Sequence, residues 1–187
     1  MRYVNDGDIR RCRRNLFLLA YIYFQFLRDK VTENEVRSAL KRFSNEAQVS
    51  GGDDDKLLWN TYDEAMERIN GQELGLKELA LLVLSWITCA KRQLTRTELQ
   101  HALARKKGSR KLDTRDLAPI EDIISVCAGL VTVDKGSDII RLAHYTTQQY
   151  FESRREKLFV NADADITAVC ATYLSLDIFK DRFYQTR

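Results

Sequence analysis

One histidine stands at the junction of a predicted β-hairpin and a predicted helix, where its imidazole could contact a ligand. The chain has two histidines, His101 and His144. His144 follows a β-type run ending at Ala143 and precedes a polar stretch that starts a helix. An imidazole can donate a hydrogen bond to a phosphate, and a protonated imidazole adds charge attraction. The imidazole of His144 can equally hydrogen-bond to nearby backbone groups and have no ligand. His144 is therefore the candidate site residue, with a ligand-sensing role and a structural role both open.

The sequence lacks the patterns of a nucleotide-hydrolysing or acyl-transferring enzyme. None of the eight glycines precedes Lys-Ser or Lys-Thr, so no phosphate-binding loop G-x-x-x-x-G-K-[ST] is present. No nucleophile elbow G-x-S-x-G occurs either. The carboxylates at 53–55 and 121–122 stand where helices are predicted to start. Negative charge there is favoured by the helix dipole, which explains these residues without a catalytic role. We therefore expect no catalytic residue, and no ATP binding or hydrolysis by this chain alone.

The cysteines predict neither a metal site nor a disulfide framework. Four cysteines stand at 12, 89, 127 and 170, with no C-x-x-C pair. Those at 89, 127 and 170 lie in apolar runs, where a cysteine acts as a small buried hydrophobe. Neither histidine has a cysteine at metal-ligand spacing. We expect buried free thiols, no metal and a reducing, cytoplasmic location.

Charge and hydropathy argue against a membrane span and give no support to nucleic-acid binding. The 187 residues carry 30 basic and 27 acidic side chains, for a net charge of +3. That balance predicts neither nucleic-acid nor membrane binding. The apolar run Leu16 to Leu27 is shorter than the roughly 20 residues that a bilayer span needs. The basic run Arg10 to Arg14 precedes it as in a signal peptide, but no cleavage pattern follows.

The elements that must position His144 are mostly helices. Hydrophobic periodicity and capping patterns predict helices, in chain order, over Ile9–Lys30, Glu33–Phe43, Leu57–Ile69, Leu76–Ala90, a segment capped by Thr95, Pro119–Ala128, Thr146–Lys157 and Asp163–Asp177. Thr32 with Glu35, and Thr95 with Glu98, have the spacing of capping boxes. Ser44 to Asp55 is predicted as a linker.

A β-hairpin is predicted directly before His144. Leu130 to Asp134 and Ile139 to Ala143 are rich in β-branched residues. The turn between them holds Gly136, which is free to take a positive φ. Three helices followed by a hairpin form the winged-helix plan. The fold class is therefore mainly α: a helical segment (1–50), a winged-helix domain with one hairpin wing (51–158) and a C-terminal helical segment (159–187).

Three stretches resemble a known family. They are LVLSWITCAKRQLTRTELQHALA (82–104), IEDIISVCAGLVTVDKGSDIIRLAHYTTQQYF (120–151) and ADITAVCATYLSL (164–176). They are similar to the region just after the nucleotide-binding domain of fungal NACHT-type proteins. These are signalling ATPases of the NOD-like (STAND) class, often with ankyrin repeats. The core of that region is known as the GPI inositol-deacylase winged helix domain, a label that implies no deacylase activity here.

The resemblance implies a regulatory module rather than an enzyme. Residues 1–50 correspond to the end of a helical lid, although Asn15 stands where glycine is common. The family segment Y-D-E-A-M-E-R-I is present at Tyr62 to Ile69. A histidine at the end of the wing contacts the ADP phosphates in this class, and His144 fits that position. The implied partners are the nucleotide-binding and repeat domains of the same or a related protein, with ADP or ATP present only in that complete context.

Two other functions stay open from the sequence. Winged helices often bind DNA through their third helix. Here that helix reads PIEDIISVCAG, which carries Glu121 and Asp122 and no Arg, Lys, Asn or Gln, so we expect no groove entry. The basic stretch 105–111 is predicted as a solvated loop. A role as an accessory domain of a hydrolase is the third reading. The apolar surface of Leu16 to Leu27 predicts packing against an ATPase domain, or self-association without it.

Overall fold

The fold is an assembly of helices with one small sheet. The computed structural model describes residues 19–24, 26–28, 30–49, 54–104 and 113–177. The helices are α1 (residues 19–24 and 26–28), α2 (Glu33–Val49), α3 (Asp54–Asn70), α4 (Leu74–Cys89), α5 (Arg96–Leu103), α6 (Ile120–Ser125), α7 (Tyr145–Ser153), α8 (Arg155–Leu158) and α9 (Ala162–Leu174). The strands are β1 (Leu94–Thr95), β2 (Val131–Val133) and β3 (Ile139–Leu142), and a 3₁₀ turn spans Thr114–Asp116.

Helix α4 lies at the centre of the fold. It contacts α3, α5, α6, α7, α9 and β3. Its sequence is apolar on most sides, as a helix surrounded by other elements requires. Its buried side chains are Ala80, Val83, Leu84, Trp86 and Cys89. The prediction of a central helix at Leu76–Ala90 is confirmed, with the start two residues earlier.

The three strands form an antiparallel sheet in the order β1-β3-β2. Val131 pairs with Leu142 and Val133 with Ile140, so the predicted hairpin is confirmed. The sequence did not indicate β1, in which Leu94 pairs with Ile140. A two-residue strand shows no alternation, and Thr95 reads as a helix cap, which it also is. The sheet and the order of helices around it confirm the mainly α winged-helix class.

The hairpin turn differs from the prediction. Gly136 does not take a positive φ; Asp138 does, at 60°. Asp134 organises the turn, because its carboxylate accepts from the backbone N–H groups of Gly136 (2.9 Å) and Ser137 (3.1 Å). Short polar side chains tolerate the left-handed region better than most, which suits Asp138 to this turn. Asp138 also pairs with Arg96 at the start of α5 and so ties the wing to that helix.

Several predicted element ends were wrong. Helix α2 continues through Ser44 to Val49, and α3 starts at Asp54, so helix occupies most of the predicted linker and residues 50–53 lie outside the described chain. Helix α6 ends at Ser125 rather than at 128. The chain then turns through Ala128 (φ 49°) and Gly129 (φ 83°), which is the stop expected from Gly129.

The predicted helix over Thr146–Lys157 is two helices. It breaks at Arg154, whose φ of −114° and ψ of 9° are not helical. The guanidinium of Arg154 lies over the rings of Tyr150 (4.1 Å) and Trp59 (4.9 Å). Contacts with α3 therefore accompany the break, and they are invisible in the local sequence. Helix α9 begins one residue earlier and ends three residues before Asp177.

The two capping boxes are confirmed. Thr95 accepts from the Glu98 N–H (3.3 Å) while Glu98 accepts from the Thr95 N–H (2.9 Å). Thr32 and Glu35 make the equivalent two hydrogen bonds at the start of α2. The prediction for the cysteines is only partly right, since Cys89 and Cys127 are buried free thiols but Cys170 on α9 is exposed. Cys12 lies outside the described residues.

Among the described residues, helix α1 packs against its neighbours with one side. Leu19, Ile22 and Phe26 are buried, and the rings of Phe26 and Tyr23 pack against Phe43 of α2. On the other side Phe24 is 64% exposed. The predicted helix from Ile9 and the apolar run from Leu16 lie partly outside the described residues. Within the described residues, no helix is both long and apolar enough to cross a membrane.

Candidate functional site

The wing delivers His144 to the start of α7. Strand β3 ends at Leu142, and the N–H of the next residue, Ala143, donates to the carbonyl of Leu130, the residue before β2 (2.9 Å). His144 is extended (φ −153°, ψ 159°) and is the N-cap of α7. Its Nδ1 accepts from the Thr146 N–H at 3.3 Å, which satisfies one of the open donors of the helix end. His144 therefore has the structural role that the sequence left open.

A chain of hydroxyl groups joins His144 to α3. Nδ1 of His144 lies 2.8 Å from Oγ1 of Thr146. That oxygen lies 2.6 Å from the phenol oxygen of Tyr62, which in turn accepts from the Thr147 hydroxyl (3.2 Å). Tyr62, Thr146 and Thr147 are all buried, and burial raises the pKa of the Tyr62 phenol. We call His144, Thr146, Tyr62 and Thr147 the hydroxyl relay.

A second polar contact joins the same two helices one turn further along. The Tyr150 hydroxyl donates to Asp63 (2.7 Å), and Arg154 pairs with the same carboxylate (3.2 Å). Burial, and then the hydrogen bond to Asp63, raise the pKa of Tyr150, so its hydroxyl stays a donor. Helix α7 is thus held against α3 by paired polar groups as well as by its apolar side chains. Together with the buried bonds of the hydroxyl relay, this part-buried contact favours one relative orientation of the two helices.

His144 lines an open cleft of about 700 Å³ between the end of α4, β1, β3 and the start of α7. Three cations line the same cleft: Lys91, Arg92 and Arg141. Arg92 is paired with Glu98, and the bond from Arg92 is the main reason that the pKa of Glu98 falls to about 2. Arg141 is paired with Asp134. Lys91 has no ion pair within the described part of the chain, so the cleft keeps a positive balance.

The cleft wall also contains an unsatisfied hydroxyl. Oγ1 of Thr88, on the last turn of α4, is buried and has no hydrogen-bond partner among the described residues. Most buried hydroxyl groups in proteins are paired. The cleft thus combines an imidazole, an unpaired lysine and an orphaned hydroxyl, which suits an anionic group.

The third helix of the winged helix presents a different surface. Helix α6 has only six residues, and Ile120 and Ile123 turn into the core. Glu121, Asp122 and Ser125 are exposed. The basic stretch 105–111 lies outside the described residues. The exposed face of α6 is acidic, as the sequence predicted.

Sequence reasoning placed His144 at the end of the wing but did not indicate its hydrogen-bond partners. Tyr62 was assigned to the apolar stripe of α3 with Leu58, Ala65, Met66 and Ile69, and all five are indeed buried. Nothing in the periodicity shows that its hydroxyl meets α7. The pair Thr146-Thr147 at the start of a helix was the available signal, because threonines there commonly hydrogen-bond locally. Among the described residues, no group of three or more His, Cys, Asp and Glu side chains could hold a metal.

Comparison with known proteins gives one family. A family model described as "GPI inositol-deacylase, winged helix domain" matches residues 66–160, just over half of the chain. The matched stretch starts in the second half of α3 and ends just after α8, so it includes the cleft and His144. No curated protein and no solved structure matches the chain.

Proposed function

Since the chain belongs to the family of GPI inositol-deacylase winged helix domains, we propose that it is a non-enzymatic regulatory and interaction module of a NACHT-type, NOD-like signalling ATPase. It passes the nucleotide state of the ATPase domain to the parts that follow and works in the cytoplasm. The family description names a deacylase, but the match is to the winged helix, and a fold alone carries no activity. The proposal therefore assigns no hydrolysis to this chain.

The observation that carries the proposal is the position of His144. It lies in a cleft with a positive balance, at the joint between the wing and α7. A phosphate bound there would contact β3 and α7 at once. Because the hydroxyl relay joins the same histidine to α3, a contact at the cleft is coupled to the packing of three elements. A signalling module needs such coupling between a ligand and the orientation of its parts.

The test is ADP retention in a protein that joins this chain to a NACHT-type nucleotide-binding domain. A hydrogen bond to a charged group contributes about 1.5–3 kcal/mol, so His144→Ala should speed ADP release by about 10- to 100-fold. Release is measured with a fluorescent ADP analogue. The matched control is Gln149→Ala, an exposed residue of α7. Equal release rates in the two variants would contradict the proposal.

The exposed side of α1 is the proposed contact with the ATPase domain. Phe24 and Tyr21 lie there, beside a helix face that is otherwise buried. Exposed aromatic residues on a helix next to a core indicate a protein contact. Without the ATPase domain this side should promote self-association of the chain. Analytical ultracentrifugation should show a concentration-dependent mass that Phe24→Ser reduces, whereas Val31→Ser, also exposed, should not change it.

No specific observation favours the DNA-binding alternative. The side chains that α6 exposes are Glu121, Asp122 and Ser125, and carboxylates repel the phosphate backbone. Fluorescence anisotropy with a mixed-sequence duplex should show no binding tighter than about 10⁻⁴ M, the weak end of non-specific binding. Micromolar affinity that falls steeply with added salt would favour DNA binding instead.

A further inference from the structure

The hydroxyl relay determines which nitrogen of His144 carries the proton. A neutral imidazole has one N–H donor and one bare acceptor nitrogen. The Thr146 N–H donates to Nδ1 (3.3 Å), so Nδ1 must be the bare nitrogen. A proton on Nδ1 would place two hydrogen-bond donors opposite each other with no acceptor between them. The helix cap by itself thus favours the tautomer with the proton on Nε2.

The direction of every bond in the relay agrees with this assignment. Because Nδ1 has no proton, the Thr146 hydroxyl must donate to it across 2.8 Å. That uses the only proton of the hydroxyl, so the bond of 2.6 Å between Tyr62 and Thr146 must be donated by the phenol. The phenol oxygen then accepts from Thr147, which is the direction that the Thr147 geometry gives. The relay runs from Thr147 through Tyr62 and Thr146 to His144.

We propose that Thr146 and Tyr62 are positioning residues that hold His144 as the Nε2–H tautomer, a neutral donor to an anion in the cleft. The use of that donor rests on the proposed function, whereas the tautomer is a property of the chain itself. The sequence suggested that a protonated imidazole adds charge attraction; the relay instead supplies Nδ1 with two donors and needs no added proton. The raised pKa of Tyr62 agrees with a phenol that keeps its proton.

The relay also makes the histidine sensitive to α3. Tyr62 lies four residues before the stretch that matches the family model, while His144, Thr146 and Thr147 lie within it. A hydrogen bond of 2.6 Å tolerates little relative movement of α3 and α7. A shift of α3 that separates Tyr62 from Thr146 would leave the Thr146 hydroxyl free to turn away from Nδ1. The position of α3 therefore affects which nitrogen of His144 carries the proton.

Nitrogen-15 NMR of the imidazole rings in this chain tests the tautomer directly. The two histidines give two ring systems, and His101→Gln assigns them. Above the pH at which imidazoles titrate, His144 should show a bare Nδ1 and a protonated Nε2. Thr146→Val keeps the helix N–H but removes the hydroxyl donor, so the ratio of Nε2–H to Nδ1–H forms should fall about tenfold. Thr146→Ser should restore it, and Tyr62→Phe should lower it by less than Thr146→Val.

A matched control uses the second histidine. Nδ1 of His101 lies 3.0 Å from the Tyr173 hydroxyl, so Tyr173→Phe should alter the His101 signals and leave those of His144 unchanged. Backbone amide spectra show whether each variant is folded. The relay is overturned if the unaltered chain carries the proton on Nδ1, or if folded Thr146→Val keeps the original ratio. An unchanged ratio in folded Tyr62→Phe removes Tyr62 from the proposal.

The two proposals fail in different experiments. The ring spectra need no nucleotide and no ATPase domain. If the tautomer is as expected but His144→Ala releases ADP at the normal rate, the relay stands and the nucleotide-sensing function falls. If ADP release is faster in His144→Ala but Nδ1 carries the proton, the sensing function stands and the relay falls.

Discussion

The two helices on either side of the wing are held in different ways. Helix α6 precedes the hairpin, has no side-chain cap at Pro119 and is anchored by Ile120 and Ile123. Helix α7 follows the hairpin, is capped by His144 and buries Thr146, Thr147, Tyr150 and Phe151. Apolar burial stabilises a helix without specifying one orientation, while paired polar groups do specify it. The side chains of α7 itself make such paired contacts, so the functional contacts of this domain are expected at α7.

The largest effect should come from the apolar anchor of α6. Ile123 is 0% exposed, so Ile123→Ala should lower the free energy of unfolding by about 2–5 kcal/mol. Urea denaturation followed by circular dichroism measures it. Glu121→Ala, on the exposed side of the same helix, should change stability by less than about 0.5 kcal/mol. Similar losses in the two variants would show that α6 is not held by its apolar side.

The next effect tests the polar anchor of α7. Tyr62→Phe removes one oxygen and leaves the Thr147 hydroxyl without its acceptor. An unsatisfied buried group costs about 1–3 kcal/mol, which should appear as a lower midpoint in urea. Tyr173→Phe, at a half-buried hydroxyl bonded to His101, is the matched control and should cost less. If Tyr62→Phe leaves the urea midpoint unchanged, apolar packing alone holds α7 to α3.

The buried apolar faces of the helices were predictable from the sequence, whereas the polar contacts between helices were not. Periodicity found the buried stripe of α3 and the central helix α4, because every turn of a helix repeats the signal. The Tyr62 hydroxyl meets a residue 84 positions away, which no local pattern encodes. The same holds for Arg154, where contacts with Trp59 and Tyr150 accompany the break between α7 and α8. The candidate residue itself was predictable, since a histidine at a strand-to-helix junction is visible in the sequence.

Short and exposed features were also missed for physical reasons. Strand β1 has two residues, fewer than any alternation needs. The positive φ at Asp138 depends on the turn that Asp134 builds, not on glycine content. Cys170 lies in an apolar run but is exposed on α9, although that helix packs against α4 and α5. Composition shows that a helix is apolar, and only packing shows which sides are covered.

A smaller effect separates the two roles of His144. His144→Ala removes the cap of α7 and should lower the free energy of unfolding by about 1 kcal/mol. His144→Asn keeps an acceptor at the cap position and should recover most of that stability. The same variant lacks the second ring nitrogen, so ADP retention in the joined protein should stay low. If His144→Asn restores both stability and retention, the histidine acts only through the cap.

The smallest effect concerns the wing that connects the two helices. The hydrogen bonds from the Ser137 and Gly136 N–H groups lower the pKa of the Asp134 carboxyl from 3.8. A carboxyl whose folded pKa is depressed adds stability above its unfolded pKa, and that stability is lost as the pH falls through the folded value. Hydrogen exchange at the Gly136 and Ser137 amides should therefore show less protection near pH 3 than at pH 6, after correction for intrinsic rates. Asp134→Asn keeps an acceptor oxygen but cannot titrate in this range, so its protection should not vary with pH. A pH dependence that persists in Asp134→Asn would place the titrating group elsewhere and leave the wing a passive connection between α6 and α7.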